Sequence, residues 1–251
     1  MQNLFDLTGK KAIVTGGNAG LGRAMAEALL EYGAEVVIIG RSAKTDAAAA
    51  AMASLGKVTP LRADLANRNQ RKQVFAAALQ VLGTVDIMVN NAGIQIRHQC
   101  EEFPIEDWDQ VIETNLTAVF DLCQMAGRVM LAKGSGKIIN TASLISFSGG
   151  FTIPAYAAAK GGVAQITKSF ANEWASRGVN VNAIAPGYFD TDLNTALKNN
   201  PVRYDSIMER IPAGRWGVPE DLKGVTLLLA SQASDYIHGT TIVVDGGFLG
   251  R

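Results

Sequence analysis

The sequence predicts an α/β fold: one doubly wound parallel sheet of about seven strands, flanked by helices. Three observations predict it. Short apolar runs recur along the whole chain, at Lys11–Thr15, Glu35–Ile39, Val58–Leu61, Ile87–Val89, Ile138–Ile139, Val179–Ala183 and Thr241–Asp245, and helix-length segments separate them. Strands alternating with helices in this way build a parallel sheet. The first run ends in a glycine turn that leads straight into a helical pattern. Finally, 251 residues of which 48% are hydrophobic suit one large domain, 1–251, with no second domain to assign.

Bulk composition excludes several function classes. With 23 basic and 23 acidic residues the formal net charge is zero, so no broad basic field exists to hold nucleic acid or an anionic membrane. Cys100 and Cys123 lie in different segments and His98 and His238 are far apart, so no metal is expected. Idle thiols suit the cytosol. The start, MQNLFDLTGKK, lacks the basic and apolar regions of a secretory leader. No apolar run approaches the roughly 20 residues of a membrane span. A cytoplasmic location is expected.

Taking the chain in order, strand Lys11–Thr15 runs into Gly16-Gly17-Asn18-Ala19-Gly20-Leu21-Gly22, and a helix follows from Leu21 to Tyr32. Strand, glycine turn and helix put backbone N–H groups and a helix N-terminus against a pyrophosphate, the Rossmann-type arrangement. The spacing G-x-x-x-G-x-G is not that of the commonest dinucleotide motif. It is not a Walker A loop either, because Arg23-Ala24 stands where Lys-Ser/Thr is required. The second strand ends in Gly40-Arg41-Ser42, where an acid would bond the ribose 2′-hydroxyl of NAD. With no acid, space at Gly40 and a guanidinium at Arg41, this end leans to NADP; as a solvated residue stacking on adenine, Arg41 leaves NAD open.

A helix over Ala43–Ser54 precedes the third strand, which ends in Asp64-Leu65; Asp64 either touches the adenine or caps the next helix, Arg68–Leu82. The fourth strand stops at Asn90-Asn91-Ala92-Gly93, small residues at the strand end where ligands sit in open parallel sheets. The polar stretch Ile94–Pro104 carries Arg97, a bidentate clamp for a substrate carboxylate or a solvated side chain. Ile105–Met130 reads as one long helix, with Asn115 at its middle as a poor helix former that breaks the ladder or caps a kink.

The fifth strand leads to Thr141 and Ser143, a Gly-Gly loop, and the helix of Tyr-Ala-Ala-Ala-Lys, which runs to about Ser176. Tyr156 and Lys160 share one face. The ammonium should lower the phenol pKa from about 10 and make Tyr156 a general acid/base, with Ser143 orienting the substrate oxygen. Gly161 and Gly162 are costly inside a helix and suggest close approach of another backbone, such as a partner subunit. The sixth strand is followed by Pro186-Gly187. The polar stretch Tyr188–Trp216, with Arg203 and Arg210, reads as a substrate lid rather than core. Pro219 opens a helix to Ala230, and Gly246-Gly247 follow the last strand.

Taken together, Thr15-Gly16-x-x-x-Gly20-x-Gly22, Asn90-Asn91-Ala92-Gly93, Asn115, Ser143, Tyr156-x-x-x-Lys160 and Pro186-Gly187 resemble the short-chain dehydrogenases/reductases over essentially the full chain. The resemblance implies a hydride transfer between NAD or NADP and a secondary alcohol or ketone. The catalytic set would be Asn115, Ser143, Tyr156 and Lys160. Asn115 would hold a water linking Lys160 to solvent, and Lys160 would bond the nicotinamide ribose. The cofactor would contact Gly16, Asn18, Gly20, Leu21 and Gly22 at the pyrophosphate and Arg41, Asp64, Leu65, Asn90, Asn91, Ala92 and Gly93 on the adenosine side. Pro186, Gly187 and Thr191 would border the nicotinamide, and Ser143, Tyr156, Arg97 and Tyr188 would hold substrate.

The stretches NNAGIQIRH, EFPIEDWDQVIETN and RIPAGRWG are similar to the sugar-acid branch of that family. They imply a substrate of the 2-dehydro-3-deoxy-D-gluconate or 2-deoxy-D-gluconate type, a preference for NAD that conflicts with Gly40-Arg41, and a homotetramer. A 3-oxoacyl-thioester reductase would share every catalytic residue, and another polyol or sugar dehydrogenase of the same family is a further alternative. A non-catalytic nucleotide-binding regulator is the other rival, one that should lack part of the Asn-Ser-Tyr-Lys set.

Overall fold

The order in which strands are added reverses at β1 (Lys11–Thr15): β2 (Glu35–Gly40) pairs with one side of it and β4 (Ile87–Asn90) with the other. The structure, a computed structural model, describes residues 3–251, the side chains of Leu193 and Ala196 excepted; Met1 and Gln2 of the stretch read for a leader lie outside the described residues. With β3 (Val58–Arg62), β5 (Gly136–Thr141), β6 (Val179–Pro186) and β7 (Thr241–Val244), these residues form one seven-stranded sheet in the order β3-β2-β1-β4-β5-β6-β7. Every pairing is parallel. The crevice between β1 and β4 is where such a sheet binds ligands.

Period-two alternation sorts the strand residues between two helix layers. Ile13, Val37, Met88, Ile138 and Val181 face α3 (Arg68–Leu82), α5 (Ala118–Lys133) and α6 (Pro154–Trp174). Val14, Val36, Ile38, Val89 and Ile184 face α1 (Gly20–Glu31), α2 (Lys44–Met52) and α9 (Lys223–Ala230). Helix ends follow local chemistry. Asn67 caps α3 by accepting from the backbone N–H groups of Asn69 and Gln70 at 3.0 and 3.1 Å, and Gly83 ends it at φ +77°.

Two expectations change. The predicted helix over 105–130 is α4 (Ile105–Ile112), a π turn at Glu113–Thr117, and α5. The turn sits where the fully buried Asn115 side chain pairs with the Ile94 backbone in both directions, accepting from N at 2.8 Å and donating to O at 2.7 Å. A single-turn π insertion of this kind commonly marks a functional site. The polar stretch expected to lie off the core instead contributes to it. It holds α7 (Thr195–Lys198) and α8 (Pro201–Met208), and buries Ile207, Ile211 and Trp216 against Leu144 and Phe248. No helix among the described residues is long and apolar enough to cross a membrane.

Candidate active site

A cavity of about 610 Å³ opens at the C-terminal ends of β1, β2 and β4. The glycine turn forms one wall. Gly16 has φ +66°, and a Cβ on it would stand 2.8 Å from Asn91 Nδ2 and 3.0 Å from Ala92 Cα. Gly20, at φ +51°, opens α1, whose first turn has neither a side-chain cap nor an acidic residue. The free N–H groups and positive end of this helix therefore suit a phosphate group. Asn18 and Leu21 complete that wall. Gly22 does not line the cavity as expected. It is buried, and its missing Cβ lets Gly16 O and Asn91 Nδ2 approach to 2.4 and 2.3 Å of the Cβ position.

Of the residues expected on the adenosine side, Arg41, Asp64, Leu65, Asn91, Ala92 and Gly93 all line the cavity. Asn90 does not. It is 2% exposed and donates to Asn140 Oδ1 at 2.9 Å inside the sheet. Asp64 is no helix cap; its carboxylate accepts from Ala66 N at 3.0 Å and Asn67 takes the cap. The room expected at Gly40 is already taken: a Cβ there would lie 2.4 Å from Thr45 Oγ1 and 2.8 Å from Asn18 Oδ1. An acidic side chain at 40 would have to displace both. The Thr15 hydroxyl, given no task by the sequence, accepts from Asn91 N and Ala92 N at 3.0 and 3.1 Å and so ties the two cavity-forming loops together.

A second cavity of about 240 Å³ lies beyond, lined by Ser143, Arg97, Pro186, Gly187 and Tyr188. Pro186 and Gly187 face only this one, whereas Leu21, Tyr156 and Thr191 line both. The phenol thus stands at the junction, with Lys160 on the larger side. Arg203 and Arg210 enter the smaller cavity from the polar stretch, joining Arg97; among the described residues that line it, none is a carboxylate. Arg97 also donates to Gln95 Oε1 at 2.8 Å.

The electrostatics differ from the expectation. Lys160 Nζ lies 5.6 Å from the Tyr156 ring centroid and donates to Thr141 O at 2.6 Å. Burial lowers Lys160 from 10.5 to about 8. Tyr156 is pushed above the usual phenol value, not below it, because loss of solvent outweighs the rest; the hydrogen bond with Ser143 and the charge of Arg97 pull the other way. Arg97, across the smaller cavity, thus acts on the phenol as a second cation besides Lys160. Beside Lys160, the Thr141 hydroxyl is buried without a partner. It lines the larger cavity with two unspent ammonium protons next to it, a donor set that fits the hydroxyls of a nucleotide ribose.

Glycine turn, uncapped helix and orphaned hydroxyl all suit a dinucleotide, and the comparisons agree. A family model described as enoyl-(acyl carrier protein) reductase matches residues 16–249. The chain is 44% identical over 252 residues to 2-dehydro-3-deoxy-D-gluconate 5-dehydrogenase of Bacillus subtilis, covering 100% of this chain and 99% of the relative.

This chain belongs to the short-chain dehydrogenase/reductase family. A second member of the family, gluconate 5-dehydrogenase of Gluconobacter oxydans, is 40% identical over 98% of this chain and 96% of its own length. The crystal structure of a gluconate 5-dehydrogenase from Burkholderia cenocepacia J2315 in complex with NADP and tartrate superposes with a TM-score of 0.95 at 39% identity, covering 99% of this chain and 98% of the other. Other contributors went unnoticed in this short-chain dehydrogenase/reductase sequence. Arg71 is fully buried, donating to Leu65 O at 2.5 Å, Glu113 at 2.7 Å and Asp121 at 2.6 Å. Its two carboxylate partners stand 42 and 50 residues away, so no local pattern announces the ion pairs.

Proposed function

We propose that the protein is an oxidoreductase that moves a hydride between NADP(H) and a secondary alcohol or ketone carbon of a sugar acid, of the gluconate or 2-dehydro-3-deoxy-D-gluconate type. One observation carries this reading: Tyr156 stands where the cavity walled by the glycine turn meets a small cavity lined by three arginines. Residues lining both cavities would hold a nicotinamide, which would supply the redox chemistry. The chain does the rest. Tyr156 passes a proton to or from the substrate oxygen, and its raised pKa keeps the phenol protonated for ketone reduction. Ser143 holds the same oxygen. Asn115 pins Ile94 beside the site, and Lys160 with Thr141 Oγ1 takes the ribose. Arg97, with Arg203 or Arg210, pairs with the substrate carboxylate.

Arg41, which lines the larger cavity, supports NADP over NAD. The relatives named for sugar-acid substrates, and the NADP and tartrate in one of them, support the same substrate class and cofactor. We extend the proposal to a single catalytic domain with residues 188–216 as its lid, a cytoplasmic location, and a homotetramer packed through α5 and α6. Gly161 has open space where a Cβ would be, and Phe120, 41% exposed, stacks on Phe170. Gly162 needs no partner subunit, because a Cβ there would meet Leu116 of the same chain at 2.9 Å.

The test is initial rates with a panel of sugar acids, a 3-oxoacyl thioester and a neutral polyol, each with NADP and with NAD. Sugar acids with NADP should be preferred, and Tyr156→Phe should abolish turnover while leaving cofactor affinity nearly intact. Wild-type-like turnover in that variant, or preference for the thioester, refutes the proposal.

A further inference from the structure

Phe151 is a large aromatic side chain that is 79% exposed. Exposure of that size on a rim loop asks for a reason. The next residue, Thr152, is the one non-glycine among the described residues with a positive φ, +64°. A β-branched residue strongly disfavours that region, and such strain persists only where surrounding contacts enforce it. Two contacts do so here: the Thr152 hydroxyl donates to Phe151 O at 2.6 Å, and His98 N donates to Thr152 O at 3.1 Å. The bend sets the Phe151 ring on the edge of the smaller cavity.

What the ring meets is a cation. The Arg203 guanidinium lies 5.5 Å from the Phe151 centroid, within cation–π range. Arg203 stands in the first turn of α8, where Asn200 caps the helix by accepting from Arg203 N at 3.1 Å. The second arginine that this stretch brings to the smaller cavity, Arg210, lies 4.1 Å from the Phe248 centroid, a ring that is only 4% exposed and held in the small core. Arg210 thus has a fixed support, whereas Arg203 depends on an exposed ring carried by a different loop.

We propose that Phe151 is a specificity-determining residue: its ring, held out by the strained turn at Thr152, is the platform that places Arg203 over the small cavity, opposite Arg97, as the second cation for a substrate carboxylate. Phe151 does not touch the reacting atoms, and it acts through Arg203. The inference rests on the reading of the substrate as a sugar acid. A neutral polyol makes no use of Arg203, so Phe151 should discriminate between the two.

The experiment compares wild type, Phe151→Ala, Phe151→Leu and Thr152→Gly in the full-length enzyme. Three readouts are taken: KM and kcat for a sugar acid and a neutral polyol, KM for NADP, and the Kd of tartrate by calorimetry. Losing an exposed cation–π contact corresponds to a factor of about 2 to 5 in affinity. Both Phe151 variants should raise the sugar-acid KM and the tartrate Kd by that factor. The polyol KM, the NADP KM and Tm should not change. Thr152→Gly relieves the strain, so it should weaken acid binding without lowering Tm. Wild-type acid binding in Phe151→Leu, or an equal loss for acid and polyol, overturns the platform. Unchanged acid binding in Thr152→Gly overturns the role of the turn. If wild type oxidises no sugar acid yet tartrate binding still falls in the Phe151 variants, the substrate reading fails and the platform stands.

Discussion

Replacing Lys160 by Met should change how stability depends on pH, in a direction that the structure dictates. Lys160 is 3% exposed, and among the described residues its ammonium donates one hydrogen bond, to Thr141 O at 2.6 Å. Burial takes its pKa from 10.5 to about 8. That fall corresponds to about 3 kcal/mol of extra cost for the charged form in the folded chain. Between pH 8 and 10.5 the unfolded chain holds the proton and the folded chain has released it, so stability rises with pH across this window. Below pH 8 both states are protonated and the cost is present in full. Lys160→Met has nothing to titrate. Urea denaturation of both proteins without cofactor, from pH 7 to 10.5, should therefore show wild type gaining about 3 kcal/mol relative to the variant as pH rises. Tyr156 is common to both proteins and cancels to first order. Parallel profiles would refute the argument, because they would mean that the ammonium is not paying for its burial in the folded state.

Three further outcomes follow from separate parts of the structure. Arg41→Ala should weaken NADP binding about tenfold, as expected for one charged hydrogen-bond partner lost from a phosphate, and leave NAD within about twofold, read by fluorescence titration. Arg71→Met removes the buried cation from Leu65 O, Glu113 and Asp121, and should cost about 3 kcal/mol in chemical denaturation; a loss under about 1 kcal/mol would show that the two half-exposed carboxylates do not need it. Gly178→Ala should lower stability by about 2 kcal/mol or more in thermal melts without changing KM. Gly178 holds φ +82°, and a Cβ there would come within 2.0 Å of Gly134 O, far from either cavity.

The elements were legible because they obey local rules. The β-branched runs and the glycine turn marked β1 and α1, and Asn67 and Gly83 bound α3 at the predicted ends. Where a long-range contact overrode the local pattern, reading failed. The helix across Asn115 is interrupted because a loop 21 residues earlier offers that side chain both a donor and an acceptor. Polarity hid the small core around Trp216, since its apolar residues are interspersed among charges. Asn90 looked like a ligand residue from its motif, yet its strand turns that side chain into the sheet.

The chain by itself determined the order of strands and helices, the glycine turn before α1 and the pairing of Tyr156 with Lys160 on one helix face, because periodicity and glycine stereochemistry act over a few residues. Tertiary structure alone decided the sign of the Tyr156 shift, the convergence of Arg97, Arg203 and Arg210 on one cavity, and the perch of Arg203 on Phe151. Desolvation and charge proximity depend on which distant segments close around a group, and no spacing along the chain encodes that.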